Sequence, residues 1–132
     1  MAYASLNNED QMLIDGNDSI VIVNNFESIK GGRTLNVTGF TPTTIPAGHV
    51  IIKETATGDY KPMPISGTAY DALPSGHTYA GINVATVLKT RPFCGIMVRG
   101  TVNTTASPYT ITSILSAVKT ALPQVIFTND TI

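Results

Sequence analysis

Two histidines and one cysteine are the side chains of this 132-residue chain best suited to nucleophilic or metal chemistry. His49 and His77 each follow a proline, a small residue and a glycine, so each is expected beside a turn that leads into a strand. With a distant carboxylate they would make the centre of a small hydrolase. Neither has a cysteine or carboxylate at metal-ligand spacing, and the pattern favours turn-flanking histidines at a surface or an interface.

Cys94 lies between Phe93 and Gly95 in a predicted strand, which favours a small buried thiol over a nucleophile. A single cysteine excludes an intramolecular disulfide framework and a multi-cysteine zinc site. The chain has no Gly-x-Ser-x-Gly elbow, no Gly-x-Gly-x-x-Gly motif and no phosphate loop. We therefore expect no enzymatic activity, no cofactor and no metal.

Charged residues are scarce in this chain. They make up 13% of the sequence, about half of the usual quarter, and the net charge is −1. This balance argues against a nucleic-acid partner, and no apolar run is long enough to predict a membrane span. The first residues lack a basic region followed by an apolar one, so we expect no secretory signal.

Short runs of β-branched and apolar residues predict a mainly β (α+β) fold. Predicted strands cover 19–23, 34–38, 49–54, 60–63, 78–88, 93–103 and 124–128. Pro62 makes 60–63 an expected edge strand. In the strand 93–103, period-two alternation places Ile96, Val98 and Val102 on one face and Met97 on the other, more polar face.

One amphipathic helix is predicted at about 111–122. Its apolar stripe consists of Ile111, Ile114, Leu115, Val118 and Leu122. Thr110 or Thr112 is the expected N-cap, and Pro123 cannot continue the helix.

Residues 1–18 lack a strand or helix pattern and predict an extended arm, followed by a single β-rich domain at 19–132. The arm's candidate contact residues are Tyr3, Leu6, Met12, Leu13 and Ile14. Residues 1–29 hold five acidic residues and no lysine or arginine, which suits docking on a basic surface.

Four short motifs follow one another through the middle of the chain, ahead of the predicted helix and last strand. They are Ile45-Pro-Ala-Gly-His-Val-Ile-Ile52, Gly58-Asp-Tyr-Lys-Pro-Met63, Ala80-Gly-Ile82 and Ile96-Met-Val-Arg-Gly-Thr-Val-Asn103. This series resembles the head decoration proteins of tailed bacteriophages, the family typified by the capsid-stabilising protein of phage lambda. The residues that carry the resemblance are Pro46, Gly48, Tyr60, Pro62, Gly81, Arg99, Gly100, Val102 and Asn103.

The resemblance implies a structural virion protein, made in the host cytoplasm and placed on the outer surface of the phage head. It implies a homotrimer that binds the expanded shell and clamps neighbouring major capsid proteins. In that family the N-terminal arm becomes ordered on the shell and adds a strand, so that backbone hydrogen bonds supply the affinity. The alternative is a head-fibre or adhesion protein that binds host-surface glycans through exposed Tyr60, Tyr70, Tyr79 and Tyr109.

Overall fold

Twelve β-strands and two short helices form residues 18–128, the part of the chain that this computed structural model describes. The elements are α1 (Asp18–Val21), β1 (Ile22–Ser28), β2 (Arg33–Thr34), β3 (Thr44–Ile45), β4 (Val50–Glu54), β5 (Tyr60–Pro62), β6 (Ile65–Ser66), β7 (Ala69–Tyr70), β8 (His77–Asn83), β9 (Val87–Leu88), β10 (Phe93–Cys94), β11 (Ile96–Asn103), α2 (Leu115–Ala121) and β12 (Val125–Thr128). The mainly β fold expected from the sequence is confirmed.

A six-stranded sheet forms the centre of the body. Its order is β1-β11-β8-β4-β5, antiparallel at every step, and β12 lies parallel to the second half of β11. The remaining strands form three two-stranded sheets, β2 with β10, β3 with β9, and β6 with β7. β11 therefore joins the N-terminal, middle and C-terminal parts of the body.

At β4 the central sheet is buried on both faces, which explains the unbroken apolar run of this strand. Successive side chains of a strand point to opposite faces. Val50 and Ile52 pack in the larger core cluster, which includes Val118 of α2, whereas Ile51 packs in a second cluster. That second cluster also contains Ile45 of β3 and Cys94 of β10, so two cores share one sheet.

The start of the body differs from the prediction of a strand at 19–23. The first of these residues belong to the single turn α1, and β1 then continues through Asn24-Asn25, where the strand was expected to end. The Asp18 carboxylate accepts hydrogen bonds from the amide (2.9 Å) and hydroxyl (2.7 Å) of Thr86, which holds α1 against the body. β1 extends through the asparagines because it pairs with β11, and this pairing outweighs their low strand propensity.

Three other predicted strands are shorter or divided. The run 34–38 keeps only its first residue in β2, 78–88 separates into β8 and β9, and 93–103 breaks at Gly95 into β10 and β11. The predicted alternation along β11 is also wrong, because Met97 is fully buried and shares the larger cluster with Val102. Irregularities in the register of β1 against β11 break the period of two.

The structure confirms the buried apolar face of the predicted helix, but the helix starts later than predicted. Four of the stripe residues, Ile111, Ile114, Val118 and Leu122, are at most 7% exposed. The helix begins only at Leu115, after a turn, and Ile114 occupies the N-cap without a side-chain hydrogen bond, so the predicted threonine caps are wrong. The backbone of Thr110 is bonded to the β6–β7 hairpin instead, which keeps it out of the helix. The expected stop before Pro123 is confirmed.

Candidate functional site

The turn at residues 46–49 directs the chain into β4. The His49 amide donates to the Pro46 carbonyl (3.2 Å), so Pro46 is the first residue of the turn. Gly48 is the third residue and has φ of +86°, which a type II turn requires there. A Cβ at this position would also overlap Val21 of α1. Pro46 and Gly48 therefore define the conformation of the turn, and we assign them a structural role rather than a ligand-binding one.

His49 is fully buried, which contradicts the predicted surface or interface position. Its Nε2–H donates to the Met63 carbonyl (2.9 Å), and Nδ1 has no hydrogen-bond partner within residues 18–128. The rings of Phe40, Tyr70 and Tyr109 lie around the imidazole at centroid distances of 5.2 to 5.4 Å, with their planes roughly perpendicular to it. Burial lowers the pKa of His49 to about 4, so the imidazole is neutral at pH 7.

His77 is partly exposed at the far end of the same strand pair. Its Nδ1–H donates to the Ser75 carbonyl (2.9 Å), and its Nε2 accepts from Lys61 Nζ (3.3 Å). Lys61 also pairs with the Glu54 carboxylate (3.2 Å). Hydrogen bonds from Thr57 and then Lys61 lower the pKa of Glu54.

The two histidines do not form one site. His77 faces the last residue of β4, whereas His49 precedes its first, and a five-residue strand spans about 16 Å. Within residues 18–128, no three side chains of His, Cys, Asp or Glu are grouped so that they could hold a metal ion. Cys94 is 3% exposed and burial raises its pKa to about 11, which confirms the predicted buried thiol.

Two glycines of the motif series allow neighbouring strands to pack closely against β11. A Cβ on Gly81 would lie 2.5 Å from Ile96 Cγ2 and 2.6 Å from the Met97 carbonyl oxygen. A Cβ on Gly100 would overlap the carbonyl oxygen of Asn24 in β1 and the Met97 sulfur. Both positions thus exclude larger side chains for reasons of packing.

The other buried motif residues also have structural roles. Pro62 lies on β5, which is an edge strand of the central sheet as predicted. The half-buried Tyr60 ring lies 5.4 Å from Lys53 Nζ. Val102 is buried in the larger core, and the side-chain oxygen of the buried Asn103 accepts from the Thr105 amide (3.1 Å).

Arg99 is the only one of the nine motif residues that is exposed. Its guanidinium carbon lies 5.7 Å from the centroid of the Phe26 ring, which is 64% exposed. Thr101 lies two residues after Arg99 on β11 and pairs with Ile126 of β12. The Ile126 side chain is 59% exposed. We call the surface formed by Phe26, Arg99, Thr101 and Ile126 the outer face of the sheet.

β1 also leaves one of its edges unpaired within residues 18–128, because it pairs only with β11 there. Five consecutive residues of β1, from Val23 to Glu27, are exposed. We call this the free edge of β1. Sequence reasoning missed both Phe26 and Ile126, although a phenylalanine in the polar stretch Asn-Asn-Phe-Glu-Ser was a usable signal.

The four tyrosines proposed for glycan contacts do not share a surface. Tyr70 is only 3% exposed, and its hydroxyl accepts from the Val50 amide (3.1 Å), so its predicted exposure is wrong. Burial raises the pKa of Tyr70. Tyr60 packs on the smaller core, whereas Tyr79 and Tyr109 pack on the larger core.

The five candidate contact residues of the arm, Tyr3, Leu6, Met12, Leu13 and Ile14, lie outside the described residues.

No protein-family model, curated protein or solved structure matches the chain. No helix within residues 18–128 has the length and apolar character needed to cross a membrane.

Proposed function

We propose that this protein is a structural component of a tailed-phage head, which binds the outer surface of the expanded shell as a homotrimer and clamps neighbouring major capsid proteins. The observation that carries the proposal is the free edge of β1 beside the apolar outer face of the sheet. In this proposal residues 1–17, the part of the predicted arm that precedes α1, form an extended arm that adds a strand to the shell, and the protein acts without enzymatic activity.

The free edge of β1 is suited to pairing with another chain. An edge strand presents unpaired amide and carbonyl groups, and proteins that stay monomeric protect such edges with lysine, proline or a covering segment. From Val23 to Glu27 the edge has no lysine and no proline, and Glu27 is its one charged residue. Strand addition at this edge would supply main-chain hydrogen bonds without a specific side-chain code.

The outer face has the composition of an interface core. Such cores are enriched in aromatic residues and arginine and depleted of other charged residues. Phe26, Arg99 and Ile126 fit this description, and the low overall charge of 13% is in keeping with a protein that meets neighbours on several sides. The resemblance of residues 45–128 to the decoration proteins adds the phage head as the place of assembly.

A binding experiment on phage heads tests the proposal. The purified protein is mixed with expanded and unexpanded heads of the phage that encodes it, and bound protein is measured after sedimentation. Wild-type protein should bind expanded heads in preference, and Phe26→Asp should weaken binding at least tenfold, a loss of about 1.4 kcal/mol or more. The matched control is Phe93→Asp, because Phe93 is similarly exposed (59%) but belongs to β10, which pairs with β2 and contributes no residue to the outer face.

Thermal melts establish that both variants are folded, and native mass spectrometry should give three times the 14.0 kDa mass of one chain. Absence of wild-type binding to either form of the head would refute the proposal. Equal binding of Phe26→Asp and wild-type protein would refute the assigned surface.

Deletion of residues 1–17 tests the arm separately and leaves Asp18 in place to hold α1. We expect a folded body that no longer binds heads. If the shortened chain binds as well as the full chain, the arm is not the attachment element, and the outer face alone remains under test.

A further inference from the structure

A cleft of about 470 Å³ opens at the end of the sheet beside α2. It lies among the loop that follows β11, the tip of the β6–β7 hairpin and the end of β12. Its volume is in the range of small-molecule sites, roughly 300 to 1,000 Å³. Seven of its twelve lining residues carry a hydroxyl group: five threonines, a serine and a tyrosine.

The backbone around the cleft is held in place by hydrogen bonds. The Thr110 amide donates to the Thr68 carbonyl (2.9 Å), and the Tyr70 amide donates to the Thr110 carbonyl (3.2 Å). The amide and the hydroxyl of Thr104 both donate to the Thr128 carbonyl, each at 2.8 Å. A cleft that is ordered before binding loses little conformational entropy when a ligand enters.

Several hydroxyl groups of the cleft are available to a ligand. Thr68, Thr110 and Thr112 are exposed, and their side chains make no hydrogen bond with the part of the chain that the structure describes. Each hydroxyl can donate one hydrogen bond and accept two. The set therefore matches a ligand that itself carries several hydroxyl groups.

The remaining walls narrow the chemistry further. Tyr109 and Phe127 supply apolar surface, and among residues 18–128 Lys119 is the only charged residue that lines the cleft. Lys119 is exposed and has no ion pair within residues 18–128. A phosphate site would be expected to offer arginine or several converging amides, whereas one lysine matches a single carboxylate.

We propose that this cleft binds a saccharide that carries a carboxylate, either as a free acidic sugar or as the terminal sugar of a glycan. Lys119 pairs with the carboxylate, the threonine hydroxyls bond to the sugar hydroxyls, and Tyr109 packs against the C–H face of the ring. This site is separate from the outer face and does not depend on the proposed role in a phage head.

Titration of the full chain by NMR or calorimetry tests the site with glucuronic acid, glucose and inorganic phosphate. We expect glucuronic acid to bind about fivefold more tightly than glucose, as one exposed ion pair allows, and Lys119→Met to remove that preference. Thr110→Val should lower the affinity for both sugars about fivefold, because it removes one hydroxyl group from the cleft. Lys53→Met is the matched control and should bind both sugars like wild type. Lys53 is on β4, where it lies beside Tyr60, and does not line the cleft.

An oligosaccharide that ends in glucuronic acid separates the two sources. If the oligosaccharide binds more tightly than free glucuronic acid, the natural ligand is the end of a glycan. If the two bind equally, the natural ligand is the free sugar. The proposal is overturned if no sugar binds, if phosphate binds as tightly as glucuronic acid, or if Lys119→Met keeps the preference while its amide spectrum shows a native fold.

Discussion

Acidification should destabilise this protein through His49, and the effect can be isolated with one substitution. The imidazole donates from Nε2 to the Met63 carbonyl, and its Nδ1 has no partner within residues 18–128. Protonation would therefore place a charge on a fully buried ring that has no hydrogen-bond acceptor at Nδ1 within these residues. His49→Phe removes the titrating group while keeping a planar ring of similar size in the same space.

The magnitude follows from the pKa of His49, which burial lowers from 6.5 to about 4. Because the unfolded chain binds the proton more readily than the folded one, the stability contributed by neutral His49 is complete above pH 6.5. It is lost progressively as the pH falls from about 6.5 to 4. At 1.36 kcal/mol per pH unit, this interval corresponds to about 3 kcal/mol, a large part of a typical folding free energy.

The measurement is urea unfolding of wild-type and His49→Phe protein between pH 7 and pH 4, at one fixed protomer concentration. At pH 7 the variant should be about 1 kcal/mol less stable, because the Met63 carbonyl loses its hydrogen bond. The difference should reverse as the pH falls, since the variant escapes the loss of about 3 kcal/mol. His77→Phe is the control for replacing an imidazole with a phenyl ring, because His77 is partly exposed rather than buried in a core.

Comparing the variant with wild type cancels the contribution of the carboxylates, which titrate in both proteins. The reasoning is refuted if wild type and His49→Phe lose stability in parallel from pH 6.5 to 4. It is also refuted if NMR shows His49 titrating near pH 6.5 in the folded protein.

Three further predictions concern packing and the attachment of α1. Gly81→Ala should cost about 2–3 kcal/mol in urea unfolding because its Cβ would meet the backbone of β11, whereas Gly58→Ala, whose Cβ meets open space, should cost about 1–2 kcal/mol for its left-handed φ. Cys94 should resist a thiol reagent in the folded protein and react fully in urea, because it is buried and its pKa is raised to about 11; rapid labelling of the native state would contradict this. Asp18→Ala should lower the free energy of unfolding by about 2 kcal/mol because it removes both hydrogen bonds from Thr86, and an unchanged value would show that α1 is not held by them.

Local patterns predicted much of the architecture. The strand 49–54, the edge position of Pro62 and the apolar stripe from Ile111 to Leu122 could be recognised because each depends on neighbouring residues. The start of α2 could not, because it depends on hydrogen bonds from Thr110 to a hairpin far away in the sequence. The extension of β1 likewise depends on pairing with β11.

The candidate surfaces were less predictable than the fold. Arg99 could be selected from its motif, but its neighbour Phe26 comes from a strand more than seventy residues earlier. The lining of the cleft beside α2 also combines residues that are far apart in the sequence, such as Thr68, Tyr109 and Lys119. Only pairing across the sheet and packing of its end bring such residues together.

Composition, the scarcity of charge, the apolar stripe of the helix and the motif series can all be read without a fold, because they are properties of residue type and local spacing. Folding is what makes His49 buried and Arg99 exposed, although each belongs to a motif that leads into or lies on a strand. The reason is that burial depends on what packs against each face of a strand. His49 meets Phe40 and two tyrosines from other segments, whereas the outer face at Arg99 is covered by no other segment within residues 18–128.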